Sequence, residues 1–228
     1  MTDLGYLSSE IDALIDETAS SILSLVNSLL VSGASQTIID LSLEVFSNIS
    51  EAASRSSSIG LTSTTQEGVD KIVDLLLPSA STLTLTSPKI TLKIQPYDQS
   101  TENTITLSTA STTTVILPAG MSDPGDTSRL VTIIYSEPIF EALAPSDFIS
   151  GSEIITLRLY VNEVEREIQG LSERIELNFA LDPKDRAVQA CIAAILDGTQ
   201  TLDDISCSYF DPSRRETSTE GCLLMGVV

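Results

Sequence analysis

Residues 82–94 read TLTLTSPKITLKI and mark a change in the hydrophobic pattern of the chain. On both sides of the Ser87-Pro88 break, apolar residues occupy every second position, which is the period of a half-buried β-strand. Before Pro78, apolar residues instead recur at steps of three and four, which is the period of an amphipathic helix. The sequence therefore predicts helices before Pro78 and strands after it.

Three helices are predicted in the part of the chain that precedes Pro78. The first covers residues 8–31 and the second residues 35–53, each with one apolar face. A Ser-rich link at residues 54–60 follows, and the run Thr64-Thr65-Gln66-Glu67 has the form of a capping box that begins the third helix. Pro78 ends this helix because proline lacks the backbone N–H that a helix interior needs.

Short strands are predicted for most of the chain after Pro78. They are residues 82–86, 89–94, 104–107, 113–117, 130–135, 153–161 and 174–179. Turn-forming Pro, Gly and Asp residues separate them, and one helix is predicted at residues 186–196. Many short strands with regular turns favour an antiparallel sandwich. The predicted fold class is α+β, with a small N-terminal helical subdomain at residues 1–78 followed by an antiparallel β-sandwich subdomain at residues 79–228.

Charge and composition exclude several classes of function. The chain has 228 residues, with 12 Lys and Arg against 32 Asp and Glu, no histidine and a formal net charge of −20. A strongly acidic surface repels phosphate, which argues against nucleic-acid binding and against a polybasic membrane-surface protein. Without histidine there is no Ser-His-Asp catalysis, imidazole zinc site or histidine pH switch. What remains is an acidic binding or structural protein, or an enzyme that uses carboxylates, Ser, Thr or Cys.

The sequence leaves the cellular compartment open. No stretch reaches the about 18 consecutive apolar residues of a membrane span, and the N-terminus lacks the basic and apolar regions of a signal peptide. Taken literally, this predicts a cytosolic chain; for a processed or partial piece of a larger protein, it predicts nothing. The 33 Ser and 24 Thr form a quarter of the chain, a bias that is common in extracellular adhesive and stalk proteins.

The stretch of residues 207–222, CSYFDPSRRETSTEGC, combines two cysteines, an aromatic pair and a Ser-Thr dipeptide. This arrangement resembles the proteolysis-site (GPS) motif of polycystin-1-like proteins and adhesion-type G-protein-coupled receptors. In that family the motif ends a larger GAIN domain, a helical subdomain followed by a β-sandwich. Residues 153–159 and 170–179 look like the family's strands that lead into the motif. The residues that carry the resemblance are Cys207, Tyr209, Phe210, Asp211, Ser218, Thr219, Gly221 and Cys222.

The motif also departs from the family pattern. Phe210 and Thr217 stand where the family usually has Trp, and the chain stops at Val228, before the family's Cys-x-Cys and its His-Leu-Thr or His-Leu-Ser cleavage tripeptide. In the family's self-cleavage the histidine activates the Ser or Thr hydroxyl. Because this chain has no histidine, it cannot cleave itself by that route, and we expect no enzymatic activity. The chain is either a fragment of a longer protein or a non-cleaving member.

The cysteines allow two interpretations. The resemblance implies extracellular disulfides at Cys207 and Cys222, with the family's partner cysteines lying beyond Val228. The alternative is two reduced cysteines packed as small apolar side chains in a core. If the two paired with each other, the ring would close across the loop at residues 213–217. Cys191 is predicted to be buried in a helix.

Two further motifs are candidates for binding or modification. Asp123 and Asp126 are calcium candidates because carboxylate oxygens suit this ion, although Asp-Pro-Gly-Asp is also an ordinary turn and no EF-hand spacing is present. We therefore predict no metal site and no cofactor. Asn48 begins the N-glycosylation sequon Asn-Ile-Ser, which would carry a glycan if the chain is lumenal; alternatively, it is a chance match on an apolar helix face.

The leading hypothesis is a non-enzymatic extracellular GAIN/GPS-like domain of a polycystin-1-like or adhesion-receptor-like membrane glycoprotein. Such a domain would hold a juxtamembrane strand and mediate structural, adhesive or mechanosensory interactions at the cell surface or cilium. The strand would come from the C-terminal continuation or a partner chain, with membrane contact only through segments outside this chain and no nucleic acid. The alternative is a self-assembling structural protein of an extracellular fibre, ciliary surface or cell coat.

Overall fold

The computed structural model describes the helices and most of the sheet. The described residues are 3–31, 35–56, 59–108, 112–136, 154–166, 175–178, 189, 193–194, 196, 198, 209–211 and 216–218. Three helices come first: α1 (Asp3–Val31), α2 (Gln36–Ser56) and α3 (Ile59–Leu76). The strands follow as β1 (Leu83–Thr86), β2 (Ile90–Pro96), β3 (Asn103–Ser108), β4 (Thr112–Leu117), β5 (Ser128–Tyr135), β6 (Ile154–Val161), β7 (Val164–Arg166), β8 (Glu176–Asn178), β9 (Tyr209–Asp211) and β10 (Glu216–Ser218).

The strands form antiparallel sheets, which confirms the predicted α+β fold class. The larger sheet has the strand order β1-β2-β5-β6-β7, and a second sheet has the order β3-β4-β8. Strands β9 and β10 form a separate two-stranded ribbon. Within the larger sheet β5 is central, since it pairs along its whole length with β6 and along most of it with β2.

Strand β5 is buried on both faces, because the larger sheet lies between two hydrophobic clusters. Val131, Ile133 and Tyr135 belong to the cluster that the three helices form with the sheet. Leu130 and Ile134, which point to the opposite face, belong to the cluster that joins β5 and β6 to the smaller sheet. The result is a three-layer arrangement of helices, larger sheet and smaller sheet, and a strand covered on both faces is expected to be apolar at almost every position.

Polar side chains tie the helical layer to the larger sheet. Arg158 of β6 forms a salt bridge with Asp70 of α3, with 2.7 Å between Nη1 and Oδ1. Arg129 of β5 donates a hydrogen bond from Nη1 to the Leu77 carbonyl, just after the end of α3. The backbone N–H of Lys89 donates to the buried Ser47 hydroxyl of α2 over 2.8 Å. These bonds fix the orientation of α2 and α3 on the sheet.

The start of the third helix differs from the prediction. Helix α3 begins at Ile59, so Thr64 and Thr65 lie inside it rather than at its N-terminus. The capping-box interpretation was wrong because a helix interior can also satisfy a threonine hydroxyl: Thr65 Oγ1 donates to the Leu61 carbonyl over 2.9 Å. The predicted Ser-rich link at residues 54–60 was too long, since α2 continues to Ser56 and α3 begins at Ile59.

Most other predicted elements are confirmed with shifted ends. The helix before Pro78 ends at Leu76, and the change from helices to strands occurs between α3 and β1. The predicted strand at residues 174–179 is shorter, Glu176–Asn178. The described residues of the predicted helix at 186–196 are helical: Gln189, Ala193, Ala194 and Leu196. The division into subdomains at residue 78 stays a prediction, and the helix–sheet cluster contains residues from both sides of it.

Candidate functional site

The GPS-like segment contains an antiparallel ribbon. Strands β9 and β10 place Tyr209 opposite Ser218 and Phe210 opposite Thr217. The aromatic pair and the Ser of the predicted motif are therefore brought onto neighbouring strands. Asp211 ends β9, opposite Glu216, whereas Cys207, Thr219, Gly221 and Cys222 lie outside the described residues, as does Cys191. The predicted disulfides stay a prediction.

In the described part of the chain, strand β6 has a strand on both sides only along Leu159–Val161, and its residues 154–158 are referred to as the open edge. The described residues of β7, Val164–Arg166, pair with Leu159–Val161 through a tight turn at Asn162 and Glu163. Both turn residues have positive φ, 52° and 69°, as a two-residue type I′ hairpin requires. Residues 154–158 pair with β5 on one side, and among the described residues no strand pairs with them on the other side.

The hairpin geometry shows which backbone groups this edge presents. In a two-residue hairpin, the N–H and C=O groups of Val161 point toward β7, and this direction recurs at every second residue. Ile155 and Leu157 therefore direct their N–H and C=O groups out of the open edge. The next residue, Asn162, is consistent with this alternation. Its N–H points to the β5 side of the strand and donates to the Thr127 carbonyl over 2.9 Å. An extended peptide could pair with these groups and continue the sheet.

Side chains along the open edge face two different environments. Ile155 and Leu157 pack against the cluster between the two sheets, whereas Ile154 packs against the helix–sheet cluster. Arg158 lies on the helix-facing side, where its side chain is 20% exposed. The residues of the edge are half-buried. The edge therefore combines apolar side chains with one cation.

The charge of Arg158 is partly neutralised by two carboxylates. Asp70 lies 2.7 Å away, and Glu165 of β7 lies 4.0 Å away and accepts a hydrogen bond from the Tyr160 hydroxyl. Burial raises the pKa of Asp70 above the ordinary aspartate value, and the nearby Arg158 guanidinium offsets this only in part. Burial also raises the pKa of Tyr135, so this hydroxyl stays protonated. The cluster connects α3 to the end of the open edge.

The two calcium candidates have protein partners. Asp123 and Asp126 flank a turn that contains Gly125 at φ 95°, closed by a 3.2 Å hydrogen bond from Asp126 N–H to the Asp123 carbonyl. Asn162 donates to the Asp126 carboxylate over 2.8 Å, and Arg166 lies 3.7 Å from that of Asp123. In the described part of the chain, no group of three or more acidic, Cys or His residues is arranged to hold a metal. These carboxylates brace the β6–β7 hairpin, and the expectation that they form no metal site stays a prediction.

The sequon residue Asn48 is exposed on α2, as glycosylation requires. Its neighbours on the chain are not: Ser47 and Ser50 are fully buried and Ile49 is nearly so. Ile49 lies on an apolar helix face, as expected, and whether the sequon carries a glycan or is a chance match stays a prediction. No described helix is long and apolar enough to cross a lipid bilayer.

Comparison with known proteins gives a likeness of fold. Neither the protein-family profiles nor the curated proteins match this chain. Among solved structures, the chain is similar to the full extracellular region of zebrafish Gpr126/Adgrg6, with a TM-score of 0.62 and 12% sequence identity. The similarity covers 93% of this chain and 29% of that structure. The two share a fold over most of this chain.

Sequence reasoning missed the open edge of β6 and the Asp70–Arg158 pair. The strand itself was predicted from its alternating pattern, but its pairing depends on residues that are distant in the sequence. Arg158 stood out only as a charged residue within an apolar strand, TLRLYV. Alternation places Arg158 with Thr156 and Tyr160 on the more polar face of the strand, so the sequence gives no signal that α3 covers this face.

Proposed function

We propose that this chain is a non-enzymatic extracellular domain of an adhesion-receptor-like or polycystin-1-like protein, and that it holds an additional strand at the edge of β6. The edge at residues 154–158, which has no second neighbouring strand among the described residues, is the observation that carries the proposal. The fold likeness to the extracellular region of an adhesion receptor supports it, as does the resemblance of residues 207–222 to a GPS motif. That the chain is a GAIN domain with a GPS motif is also part of the proposal.

The additional strand would be held by main-chain hydrogen bonds and by alternating side chains. Ile155 and Leu157 offer two donors and two acceptors, and each hydrogen bond contributes about 0.5–1.5 kcal/mol of net stability. Apolar side chains of the added strand would extend the cluster between the two sheets, next to Leu157. The strand would come from the C-terminal continuation of the chain or from a partner chain. Retention of such a strand is how the domain would transmit force or adhesion.

Hydrogen exchange tests the strand directly. We expect the amides of Ile155 and Leu157 to exchange fast in the 228-residue chain and slowly in the native polypeptide that contains the continuation or its partner. The amides of Thr156 and Arg158, which point toward β5, serve as the internal control and should be slow in both. If Ile155 and Leu157 are already as protected as Thr156 in the 228-residue chain, the edge is not available and the proposal is wrong.

Mass spectrometry of the native protein tests the extracellular part of the proposal. Differential alkylation before and after reduction should show Cys207 and Cys222 oxidised, and peptides should extend past Val228. Surface biotinylation of intact cells should label the protein. Reduced cysteines in an unlabelled, intracellular protein would rule out the extracellular domain.

A second candidate function is self-assembly into an extracellular fibre or coat, and the exposed surface of α1 favours it. Leu14, Leu25 and Leu29 are exposed by 43–64% and share one side of this helix, because 11 and 15 residues correspond closely to whole turns. No charged residue occurs in residues 18–31. Sedimentation velocity separates the two functions: concentration-dependent oligomers that Leu25→Gln abolishes favour the coat, and a monomer favours the receptor domain.

A further inference from the structure

We propose that Asn48 carries an N-linked glycan that is attached before α2 folds and cannot be attached afterwards. This inference rests on the proposed extracellular location. The sequon is the single Asn-x-Ser or Asn-x-Thr in the chain. In the structure Asn48 is exposed, whereas Ile49 and Ser50 are buried, and this contrast carries the proposal.

Asn48 itself is suited to carry a glycan. Its side chain is exposed on α2. Glu44 and Leu41, one and two turns earlier on the same side of the helix, are also exposed, and Leu41 is 56% exposed. A glycan here would extend into solvent without displacing any core residue. It would also cover the exposed apolar surface of Leu41.

The serine of the sequon is inaccessible in the folded protein. Ser50 is fully buried, and its hydroxyl donates to the Ser47 carbonyl over 2.8 Å. The Ser47 hydroxyl in turn accepts a 2.8 Å hydrogen bond from the Lys89 backbone N–H, on the turn before β2. The hydroxyls of Ser47 and Ser50, which precede and follow Asn48 in the sequence, are therefore both enclosed in the folded protein. A transferase that must recognise this hydroxyl can reach it only while the segment is unfolded.

The transfer consumes a lipid-linked oligosaccharide diphosphate. A bond forms between Nδ2 of Asn48 and the first sugar carbon, and the bond from that carbon to the diphosphate oxygen breaks. The lipid diphosphate leaves with the electron pair, and the amide proton passes to a base of the transferase. No oxidant or reductant takes part. Folding of α2 then buries Ser50, whereas the glycan on Asn48 stays in solvent.

Expression of the full chain in a secretory cell line, behind a cleavable signal sequence, tests the acceptor site. We expect secreted protein with one glycan, which peptide N-glycosidase removes and leaves an aspartate at position 48. Asn48→Gln and Ser50→Ala should both abolish it. Ser47→Ala is the matched control, because it also alters a fully buried serine of α2 but leaves the sequon intact. Secreted wild-type protein without a glycan, or loss of the glycan in Ser47→Ala as complete as in Ser50→Ala, would overturn the proposal.

A second experiment tests the order of events. Purified chain from bacteria is incubated with oligosaccharyltransferase and lipid-linked oligosaccharide, either folded or unfolded in urea and diluted into the assay. We expect transfer to the folded chain to be at least about tenfold slower, because α2 must open locally before the hydroxyl is reached. Equal rates would show that burial of Ser50 does not control the reaction. Both experiments are independent of where the native protein resides, so an intracellular native protein would refute the proposed function and leave the acceptor result standing.

Discussion

Gly68 lies in α3 where this helix crosses α2, and the ring of Phe46 fills the space that a side chain would occupy. A Cβ atom placed on Gly68 would lie 2.1 Å from two ring carbons of Phe46, well below the 3.0 Å at which a neighbouring group must move. Phe46 is fully buried, so its ring has no free volume to move into. We therefore predict that Gly68→Ala destabilises the protein, although alanine is the better helix former.

The size of this effect follows from two opposing contributions. Replacing glycine with alanine in a helix interior stabilises it by about 0.5–1 kcal/mol. Overpacking of a close-packed core costs about 1–3 kcal/mol, and an overlap of this depth places Gly68→Ala at the upper end. We expect a net loss of about 2 kcal/mol in the free energy of unfolding. Urea denaturation followed by far-UV circular dichroism measures it.

Two further variants isolate the contact with the ring. Ser63→Ala, at an exposed position of the same helix, should change the free energy of unfolding by less than about 0.5 kcal/mol. In the background of Phe46→Leu, Gly68→Ala should cost at least about 1 kcal/mol less than in the wild-type chain, since the two sites are in direct contact. A Gly68→Ala protein as stable as wild type, or additive effects in the double variant, would refute the reasoning.

Three other predictions concern polar groups. Tyr97→Phe should lower the free energy of unfolding by about 1–3 kcal/mol in urea titrations, because the buried hydroxyl donates to the Pro118 carbonyl over 2.6 Å and accepts from Met121 N–H over 3.0 Å. Asp70 has a raised pKa, so its contribution to stability is present below pH 3.8 and is lost as the pH rises through the pKa of the folded state. The stability difference between wild type and Asp70→Asn should therefore fall from pH 3.5 to pH 7. Asp98 has a lowered pKa, chiefly because its carboxylate accepts hydrogen bonds from the Ser100 hydroxyl and N–H. The stability difference between wild type and Asp98→Asn should therefore rise from pH 3.5 to pH 7. Equal slopes of the two stability differences against pH would contradict both assignments.

The fold class was predictable because it depends on local periodicity. The alternation in residues 82–94 predicts β1 and β2, and both strands form where the pattern places them. The start of α3 was not predictable from Thr64-Thr65-Gln66-Glu67, because the same residues fit either a helix N-terminus or a helix interior. Only the packing of Leu61 into the core decides between them.

The candidate site was less predictable than the fold. Which strands pair, and where a pairing stops, depends on contacts between residues far apart in sequence. Among the described residues β7 reaches Arg166, opposite Leu159, and no local pattern in residues 154–158 shows whether a further strand pairs with them. The exposure of Asn48 beside the buried Ser50 likewise depends on how α2 packs against the sheet. Sequence predicted the sequon but not the contrast within it.

The central strand β5 has a consequence for how the domain resists unfolding. Its residues belong to both hydrophobic clusters, so the helical layer cannot detach without exposing Val131, Ile133 and Tyr135 to water. Loss of the smaller sheet would likewise expose Leu130 and Ile134 on the other face. Unfolding of either layer alone would therefore expose buried apolar side chains of β5 at a high cost in free energy. We expect the described domain to unfold in a single cooperative transition, with the helices and both sheets lost together.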